Sequence, residues 1–174
     1  MVCVSYEDAQ RYVEWLSKET KRSYRLLSES EWEYAARAGT ATSRYWGNGE
    51  QEPCRHANVA DRTSKQKYNW SPTFDCEDGY AETAPVGTFK ANGFGLQDML
   101  GNVREWVEDC YNKTYDGAPR DGSTWVASSC SSRVFRGGSW DGNPPVVRAA
   151  SRYGNSPASG DYNLGFRIAR TLTP

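Results

Sequence analysis

Apolar positions recur at helical spacing soon after the chain begins. Four of them fall at i, i+3, i+4 and i+7, namely Ala9, Tyr12, Val13 and Leu16. This spacing predicts one packed face of an amphipathic helix that runs to about Lys18. The preceding Ser5–Asp8 resembles a capping box, with Asp8 where Glu or Gln is more usual.

A second helix is predicted from about Ser28. Ser28 and Glu31 have the spacing of a capping box, and Gly39 is placed to end the helix. Its packing side is predicted to contain Trp32, Tyr34, Ala35 and Ala36.

Strands are predicted where apolar residues are continuous or alternate. The predicted segments are Val2–Val4, Trp106–Tyr111, Val134 with Phe135, and Leu164 with Phe166 and Ile168.

Two stretches have no regular periodicity. The first is Gly39–Lys90, which is too long for a slack connector in a compact domain, so something should hold it in place. The second is the 24-residue run Trp140–Asn163, more than half of which is Asp, Gly, Asn, Ser or Tyr. Such residues favour turns and irregular loops, and loops on a rigid scaffold often carry binding groups. An ordinary polar connector is the alternative.

Composition limits the classes of partner. A chain of 174 residues suits one domain, predicted over residues 1–174, and the net charge of −1 gives no indication of a nucleic-acid or anionic-membrane partner. No apolar run is long enough to span a membrane, and no signal peptide is visible. Because a strand is predicted directly after Met1, the chain could be a fragment, and its localisation is left open.

The five cysteines show no Cys-x-x-Cys spacing, and His56 is the single histidine, so a zinc site is not predicted. Cys54 with Cys76, and Cys110 with Cys130, could pair across neighbouring loops; buried free thiols are the alternative. No triad pattern surrounds Ser139, and His56 has no evident catalytic partner. Asp141 and Asp161 could form a carboxylate pair, although solvated loop acids are the ordinary interpretation.

Seven blocks along nearly the whole chain resemble the formylglycine-generating enzyme (sulfatase-modifying factor) family. In the family's order they are Ser5–Ala9, Arg25–Arg37, Ala84–Gly87, Asn92–Leu96, Gly101–Trp106, Arg136–Trp140 and Asn163–Arg167. The resemblance implies an α+β, C-type-lectin-like fold with two helices, small twisted antiparallel sheets and extensive ordered loops. The family's N-terminal strands are expected to be missing, and Leu27 stands where the family usually has Pro.

Structural calcium is the cofactor that we predict. Two segments are rich in the hard oxygen donors that calcium prefers, and calcium suits irregular backbone. The resemblance implies a first site at the Asn58 side chain, the Val59 carbonyl, the Asp78 carboxylate and the Tyr80 carbonyl. It implies a second at Asp98, the carbonyls of Gly101 and Val103, and the Glu105 carboxylate.

The family's redox chemistry is not expected in this chain. Formylglycine formation in the family uses a cysteine pair that binds copper shortly after the Arg-Gly-Gly-Ser block, and here Trp140–Val147 contains no cysteine. The related iron enzymes use three histidines, so neither copper nor iron is predicted. The remaining enzymatic alternative is an oxidase that uses cysteines brought together by the fold, such as Cys110 and Cys130.

The prediction is therefore a non-catalytic module that binds a protein or small-molecule ligand. The polar run also resembles the variable region of diversity-generating retroelement proteins; an accessory domain of a larger signalling or protease protein is a further alternative. Arg148 and Arg152 are assigned to the scaffold, bonding loop carbonyls. The predicted binding surface comprises Trp140, Asp141, Asn143, Tyr153, Asn155, Ser156, Ser159, Asp161 and Tyr162.

Overall fold

The computed structural model describes residues 2–49, 52–127 and 129–172. In these ranges four helices and six strands follow one another: α1 (Tyr6–Thr20), β1 (Tyr24–Leu26), α2 (Glu29–Arg37), α3 (Pro53–His56), α4 (Arg62–Tyr68), β2 (Arg104–Cys110), β3 (Arg133–Arg136), β4 (Arg152–Asn155), β5 (Leu164–Phe166) and β6 (Ile168–Arg170). The fold is the predicted α+β class.

The chain divides into two compact units, which are treated one at a time below. Unit 1 comprises Met1–Trp32, Glu105–Arg136 and Arg152–Pro174, and unit 2 comprises Glu33–Arg104 and Gly137–Ser151. The single domain expected over residues 1–174 stays a prediction. Among the described residues, none of the helices combines the length and apolar character needed to cross a membrane.

Unit 1 contains nearly all of the strands. β1 pairs antiparallel with β6, and a second sheet has the order β4-β3-β2-β5. β2 and β3 are antiparallel, with Trp106 opposite Phe135 and a register irregularity before Cys110. A core of Tyr6, Ala9, Val13, Leu26, Trp106, Phe135 and Leu164 packs α1 against these strands.

Both predicted capping boxes are confirmed. The Ser5 hydroxyl accepts the Asp8 backbone N–H at 3.0 Å, while the Asp8 carboxylate accepts the Ser5 N–H at 2.9 Å. Ser28 and Glu31 make the same reciprocal pair, at 3.1 and 2.9 Å. These bonds satisfy amide groups that the first turn of a helix leaves without partners, which explains why both helices begin where predicted.

Unit 2 has little regular structure, and side-chain hydrogen bonds with one disulfide hold its loops. Asp61 begins α4 with a capping box to Ser64, and Cys54 is bonded to Cys76. Arg44 is buried and donates to the carbonyls of Val147 at 2.8 Å and Pro144 at 2.6 Å.

Four expectations about local structure were wrong. Val2–Val4 is not a strand. The aperiodic stretch Gly39–Lys90 contains the short helices α3 and α4, so the expected number of two helices was too low. The polar run Trp140–Asn163 contains β4, whose residues pair with β3 in spite of their polarity. Tyr34 is 69% exposed, on the solvent side of α2, where it contacts Phe94 with ring centres 5.3 Å apart.

Candidate ligand-binding surface

Strand β4 positions part of the predicted binding surface in unit 1. Its partner β3 places Phe135 opposite Tyr153 and Val134 opposite Gly154. Because side chains alternate across a strand, Tyr153 and Asn155 share one face, while Arg152 and Gly154 share the other. The two faces have different roles.

The face that carries Arg152 is fixed to the scaffold. Nε and Nη2 of Arg152 donate to the two carboxylate oxygens of Glu29, each at 2.7 Å. Nη1 donates to the Asn112 carbonyl, and the guanidinium lies 5.0 Å from the Tyr111 ring centre and 4.5 Å from that of Tyr115. A planar cation held by a bidentate pair and two rings is well ordered. The predicted scaffold role of Arg152 is confirmed.

Glycine is required beside this arginine because Tyr111 packs directly on the strand. A Cβ at Gly154 would lie 2.6 Å from Cβ and Cγ of Tyr111 and 2.6 Å from the Ser132 hydroxyl. Any larger residue would push β4 away from its neighbours.

The opposite face of β4 presents its tyrosine to solvent. Tyr153 is 43% exposed, and its ring stacks on buried Phe135 with centres 5.9 Å apart and planes at 20°. The side chain therefore has one ring face on the core and offers the rest of its surface.

The segment after β4 is a series of tight turns in which Ser156, Asp161 and Tyr162 are exposed and Ser159 is half-buried. Asn155, at the end of β4, is half-buried as well. The Ser159 N–H donates to the Ser156 carbonyl at 3.0 Å, and the Asn155 amide donates to the Asp161 carboxylate at 3.4 Å. The Asp161 carbonyl accepts the Cys3 N–H at 3.0 Å, which fixes the turn to the start of the chain. Tyr162 is 58% exposed. Unit 1 thus brings together six of the predicted residues: Tyr153, Asn155, Ser156, Ser159, Asp161 and Tyr162.

The other three predicted residues, Trp140, Asp141 and Asn143, belong to unit 2. Trp140 is only 6% exposed, so its predicted place on an open surface is corrected. Its ring lies 5.6 Å from that of Trp70 and 5.9 Å from that of Tyr68, and those two rings stack on each other at 4.5 Å. Aromatic packing of this kind explains the burial.

Asp141 and Asn143 are half-buried in a turn. The Ser139 hydroxyl donates to the Asp141 carboxylate, and the Asn143 carbonyl accepts the Val146 N–H at 2.9 Å. Arg148 Nε donates to the Pro145 carbonyl at 2.7 Å, which confirms its predicted scaffold role.

Sequence reasoning missed Tyr68 and Trp70 as partners of Trp140. They are two residues apart in an aperiodic stretch, and that spacing does not show which ring packs on which. Only the path of the chain after α4 brings them to Trp140.

The residues of the first predicted calcium site fit a hard cation. Asn58 is fully buried, and its amide donates to the Glu82 carbonyl at 2.8 Å, yet its Oδ1 accepts no hydrogen bond from any of the residues that the structure describes. Burial raises the pKa of Asp78 to about 6, although its carboxylate accepts the N–H groups of Val59 at 2.9 Å and Tyr80 at 2.8 Å. A buried oxygen without a donor and a carboxylate whose charge is disfavoured are both features that a bound calcium ion would explain.

The four residues predicted for the second calcium site are divided between the units. Asp98, in unit 2, is buried, and within residues 2–49, 52–127 and 129–172 one of its carboxylate oxygens has no hydrogen bond, while the other accepts the Gly87 N–H at 2.7 Å. Glu105, in unit 1, already accepts Trp32 Nε1 at 2.7 Å and two donors of Arg167 at 2.8 and 3.0 Å. The Glu105 carboxylate therefore has less capacity left for a cation than the carboxylate of Asp98.

The cysteines form the two pairs considered from the sequence. Cys54–Cys76 and Cys110–Cys130 are disulfides, and Cys3 is an exposed free thiol. His56 stacks on Trp46 with ring centres 5.2 Å apart, and burial lowers its pKa.

The fold is α+β and C-type-lectin-like, as the sequence blocks implied. Residues 1–172 match the family described as the sulfatase-modifying factor enzyme 1-like domain, and the chain belongs to this family. The curated relatives include proteins named formylglycine-generating enzyme and proteins named as inactive forms of it.

Three relatives illustrate the range of similarity. The formylglycine-generating enzyme of Streptomyces coelicolor is 36% identical over 184 residues, covering 97% of this chain and 52% of that protein. PvdO from Pseudomonas aeruginosa has a TM-score of 0.85 at 41% identity, covering 98% of this chain and 61% of that one. Treponema denticola variable protein 1 has a TM-score of 0.68 at 32% identity, with coverages of 84% and 47%. The chain spans about half the length of the curated formylglycine-generating enzymes of Streptomyces coelicolor and Thermomonospora curvata.

Proposed function

We propose that this chain is a non-catalytic binding module that presents a polar and aromatic surface near its C-terminal end to a protein or small-molecule ligand. The observation that carries the proposal is the contrast across β4. On one face Arg152 is fixed by Glu29, while on the other Tyr153 is open to solvent, with Tyr162 exposed nine residues later. A rigid base under exposed tyrosines is favourable for binding, because little conformational entropy is lost when a ligand docks.

Similarity to Treponema denticola variable protein 1 supports the same proposal. Among the exposed residues of the segment 153–162 are Tyr153, Ser156, Asp161 and Tyr162. Tyr, Ser and Asp are among the residue types expected where Asn codons are diversified at adenines. We propose that this segment is a variable region. A near-identical template repeat beside a reverse-transcriptase gene would support this part of the proposal, and a neighbourhood without one would contradict it.

An oxidase is the second candidate, because relatives with 36% identity are named formylglycine-generating enzymes. In this chain the cysteines available as a pair in unit 1, Cys110 and Cys130, are joined in a disulfide. Incubation with copper, oxygen and a Cys-x-Pro-x-Arg peptide, followed by mass spectrometry, separates the two candidates. The binding module leaves the peptide thiol unchanged; its conversion to an aldehyde would favour the enzyme.

Calcium is proposed as a structural ion of the loops. At the first site it would be held by Asn58, Val59, Asp78 and Tyr80, and at the second by Asp98, Gly101, Val103 and Glu105. A bound ion would supply the positive charge that balances buried carboxylate and amide oxygens. Calorimetry with calcium, together with melting in chelator, tests this: we expect heat of binding and a lower melting temperature in chelator.

The binding proposal is tested by selecting peptides from a phage-displayed library on the immobilised chain. The affinity of the best peptide is then measured for the wild type, for Tyr162→Ala and for Tyr34→Ala. We expect Tyr162→Ala to weaken binding by about tenfold or more, as at interface positions that dominate the binding energy. Tyr34→Ala is the matched control, since Tyr34 is 69% exposed but lies in unit 2. Equal affinities for all three proteins would contradict the proposed surface.

Alanine at both Tyr153 and Tyr162 should abolish the binding of such a peptide. The structure adds a cost in stability, because Tyr153 stacks on Phe135. Loss of an aromatic pair of this kind costs about 0.5–1.5 kcal/mol beyond the area that it buries. A lower melting temperature is therefore expected for the double variant, whereas Tyr162→Ala alone should melt like the wild type.

A further inference from the structure

A basic recess lies at the open end of the two-stranded sheet in unit 1. Its volume is about 430 Å³, and its lining is Lys21, Arg22, Ser23, Arg170, Thr171 and Leu172. This volume falls within the range of sites that hold small molecules. The lining contains three cations, two hydroxyl groups and one apolar side chain, with no acidic residue.

The fold brings the cations together from two separate segments. Lys21 ends α1 in the left-handed conformation, with φ of +53°, and turns the chain through Arg22 into β1. Arg170 ends β6 and lies opposite Tyr24 in the sheet. One further backbone hydrogen bond, from the Thr171 N–H to the Ser23 carbonyl at 3.1 Å, extends the pairing to the edge of the recess. The two sides of the recess are thus held at a fixed separation.

The three charges are not balanced within the part of the chain that the structure describes. Neither Lys21, Arg22 nor Arg170 makes an ion pair or a side-chain hydrogen bond there. Arg25, a few residues along β1, differs: it donates to Glu31 at 2.5 and 2.7 Å. Clustered like charges repel each other, so an anion shared between them would be favourable.

The carbonyl groups at the end of α1 explain part of the cluster. A helix C-terminus favours nearby cations, which accounts for Lys21 and Arg22. Arg170 belongs to β6 and not to the last turn of α1, so the preference of a helix C-terminus for cations does not explain why this residue is a cation. The hydroxyls also suit an anion: Thr171 Oγ1 accepts Arg25 Nε at 3.3 Å, so its own hydrogen remains available to donate.

We propose that this recess binds the phosphate or sulfate group of a small organic monoester. Arg22 and Arg170 supply planar guanidinium groups, which match the oxygen geometry of phosphate and sulfate. Lys21 adds a mobile charge, and the hydroxyls of Ser23 and Thr171 donate hydrogen bonds. Leu172 contacts the organic part of the ligand. The site is separate from the residues of the proposed ligand-binding surface and does not depend on that function.

Phenyl phosphate and phenyl sulfate are the probes, with benzyl alcohol as the neutral comparison. Calorimetry and the amide shifts of the ¹⁵N-labelled chain are measured at low salt and at 0.5 M NaCl. We expect saturable binding of at least one ester, with the largest shifts in residues 21–25 and 168–172, and weaker binding at high salt because the charges are exposed. The ester that binds more tightly identifies which anion the site takes.

The double variant Arg22→Gln with Arg170→Gln should bind the preferred ester about tenfold more weakly, equivalent to about 1.4 kcal/mol. Arg120→Gln is the matched control, since Arg120 is exposed in unit 1 outside the recess. Amide shifts that are unchanged outside the recess show that each variant is folded. If the double variant does not fold, the affinity of Lys21→Gln for the preferred ester is measured in its place. The proposal is overturned by affinity retained within twofold in the double variant, by shifts confined to other segments, or by the absence of saturable binding to either ester.

Discussion

Neutralising Glu29 should destabilise this protein more than neutralising any surface carboxylate that it carries. Glu29 is buried at the start of α2, and its carboxylate accepts four side-chain hydrogen bonds. Two come from Arg152 at 2.7 Å, one from Arg136 at 2.7 Å and one from the Tyr115 hydroxyl at 3.0 Å. Glu29→Gln preserves the size of the side chain and removes its charge.

The expected cost follows from what remains after the substitution. The Arg136 side chain is 0% exposed and that of Arg152 is 12% exposed, so two guanidinium groups would stay buried without their anion. An amide has one acceptor oxygen, and its NH₂ group would face a guanidinium donor. Breaking a buried charge pair on one side costs about 3–5 kcal/mol. Part of this is the loss of a negative charge at a helix N-terminus, about 0.3–1 kcal/mol.

Glu31→Gln is the matched control for that smaller effect. Glu31 lies in the same first turn of α2 and pairs with Arg25, but the two side chains are 40% and 42% exposed. Exposed pairs contribute about 0–1 kcal/mol, and Gln can still cap the Ser28 N–H. Urea unfolding of both variants, without reductant, gives the two free energies of unfolding. We expect Glu29→Gln to lose at least about 2 kcal/mol more than Glu31→Gln.

A difference below about 1 kcal/mol would refute the argument that the buried arginines depend on Glu29. If Glu29→Gln does not fold, the same energy is available from the other partner. In that case Arg152→Gln replaces it, again with Glu31→Gln as the reference. If Glu29→Gln does fold, its combination with Arg152→Gln should cost less than the sum of the two single changes.

Three further predictions concern unit 2. Because burial raises the pKa of Asp78 to about 6 from its ordinary value of 3.8, the calcium-free protein should gain ~1–2 kcal/mol as the pH falls from 7 through 6 to about 4. Thermal melts should show a smaller gain in Asp78→Asn than in the wild type, and added calcium at pH 7 should stabilise this variant less than the wild type, because only the second proposed site is intact in it. Gly101→Ala should cost more than about 3 kcal/mol in urea unfolding, because the new Cβ would lie 2.3 Å from the Asn58 carbonyl oxygen at a φ of +79°; a loss below 1 kcal/mol would show that the loop yields easily. Replacing Cys54 and Cys76 by Ser opens a crosslink with a sequence separation of 22 and should lower the free energy of unfolding by about 3 kcal/mol, with little change if the bridge is not formed in solution.

Local chemistry explains the parts of the structure that were predictable from the sequence. The capping boxes at Ser5 and Ser28 connect groups three residues apart, so the starts of α1 and α2 are encoded within a single turn. The core strands β2 and β3 carry the short apolar pairs Trp106 with Val107 and Val134 with Phe135 between charged residues. Such a pair predicts a buried strand without any knowledge of its partner. The family blocks similarly pointed to the α+β fold, which the comparisons confirm.

The tertiary structure alone decided the features that depend on distant partners. β4 is polar and is a strand because the edge of β3 supplies its hydrogen bonds. Trp140 is buried because the end of α4 brings Tyr68 to it and the following turn brings Trp70. The loops around Asn58 and Asp98 contain buried oxygens that have no donor in the described part of the chain, which no spacing in the sequence could reveal. The physical reason is that helix caps and apolar alternation act between near neighbours, whereas strand partners, ring contacts and unmet hydrogen bonds depend on residues brought together by the whole fold.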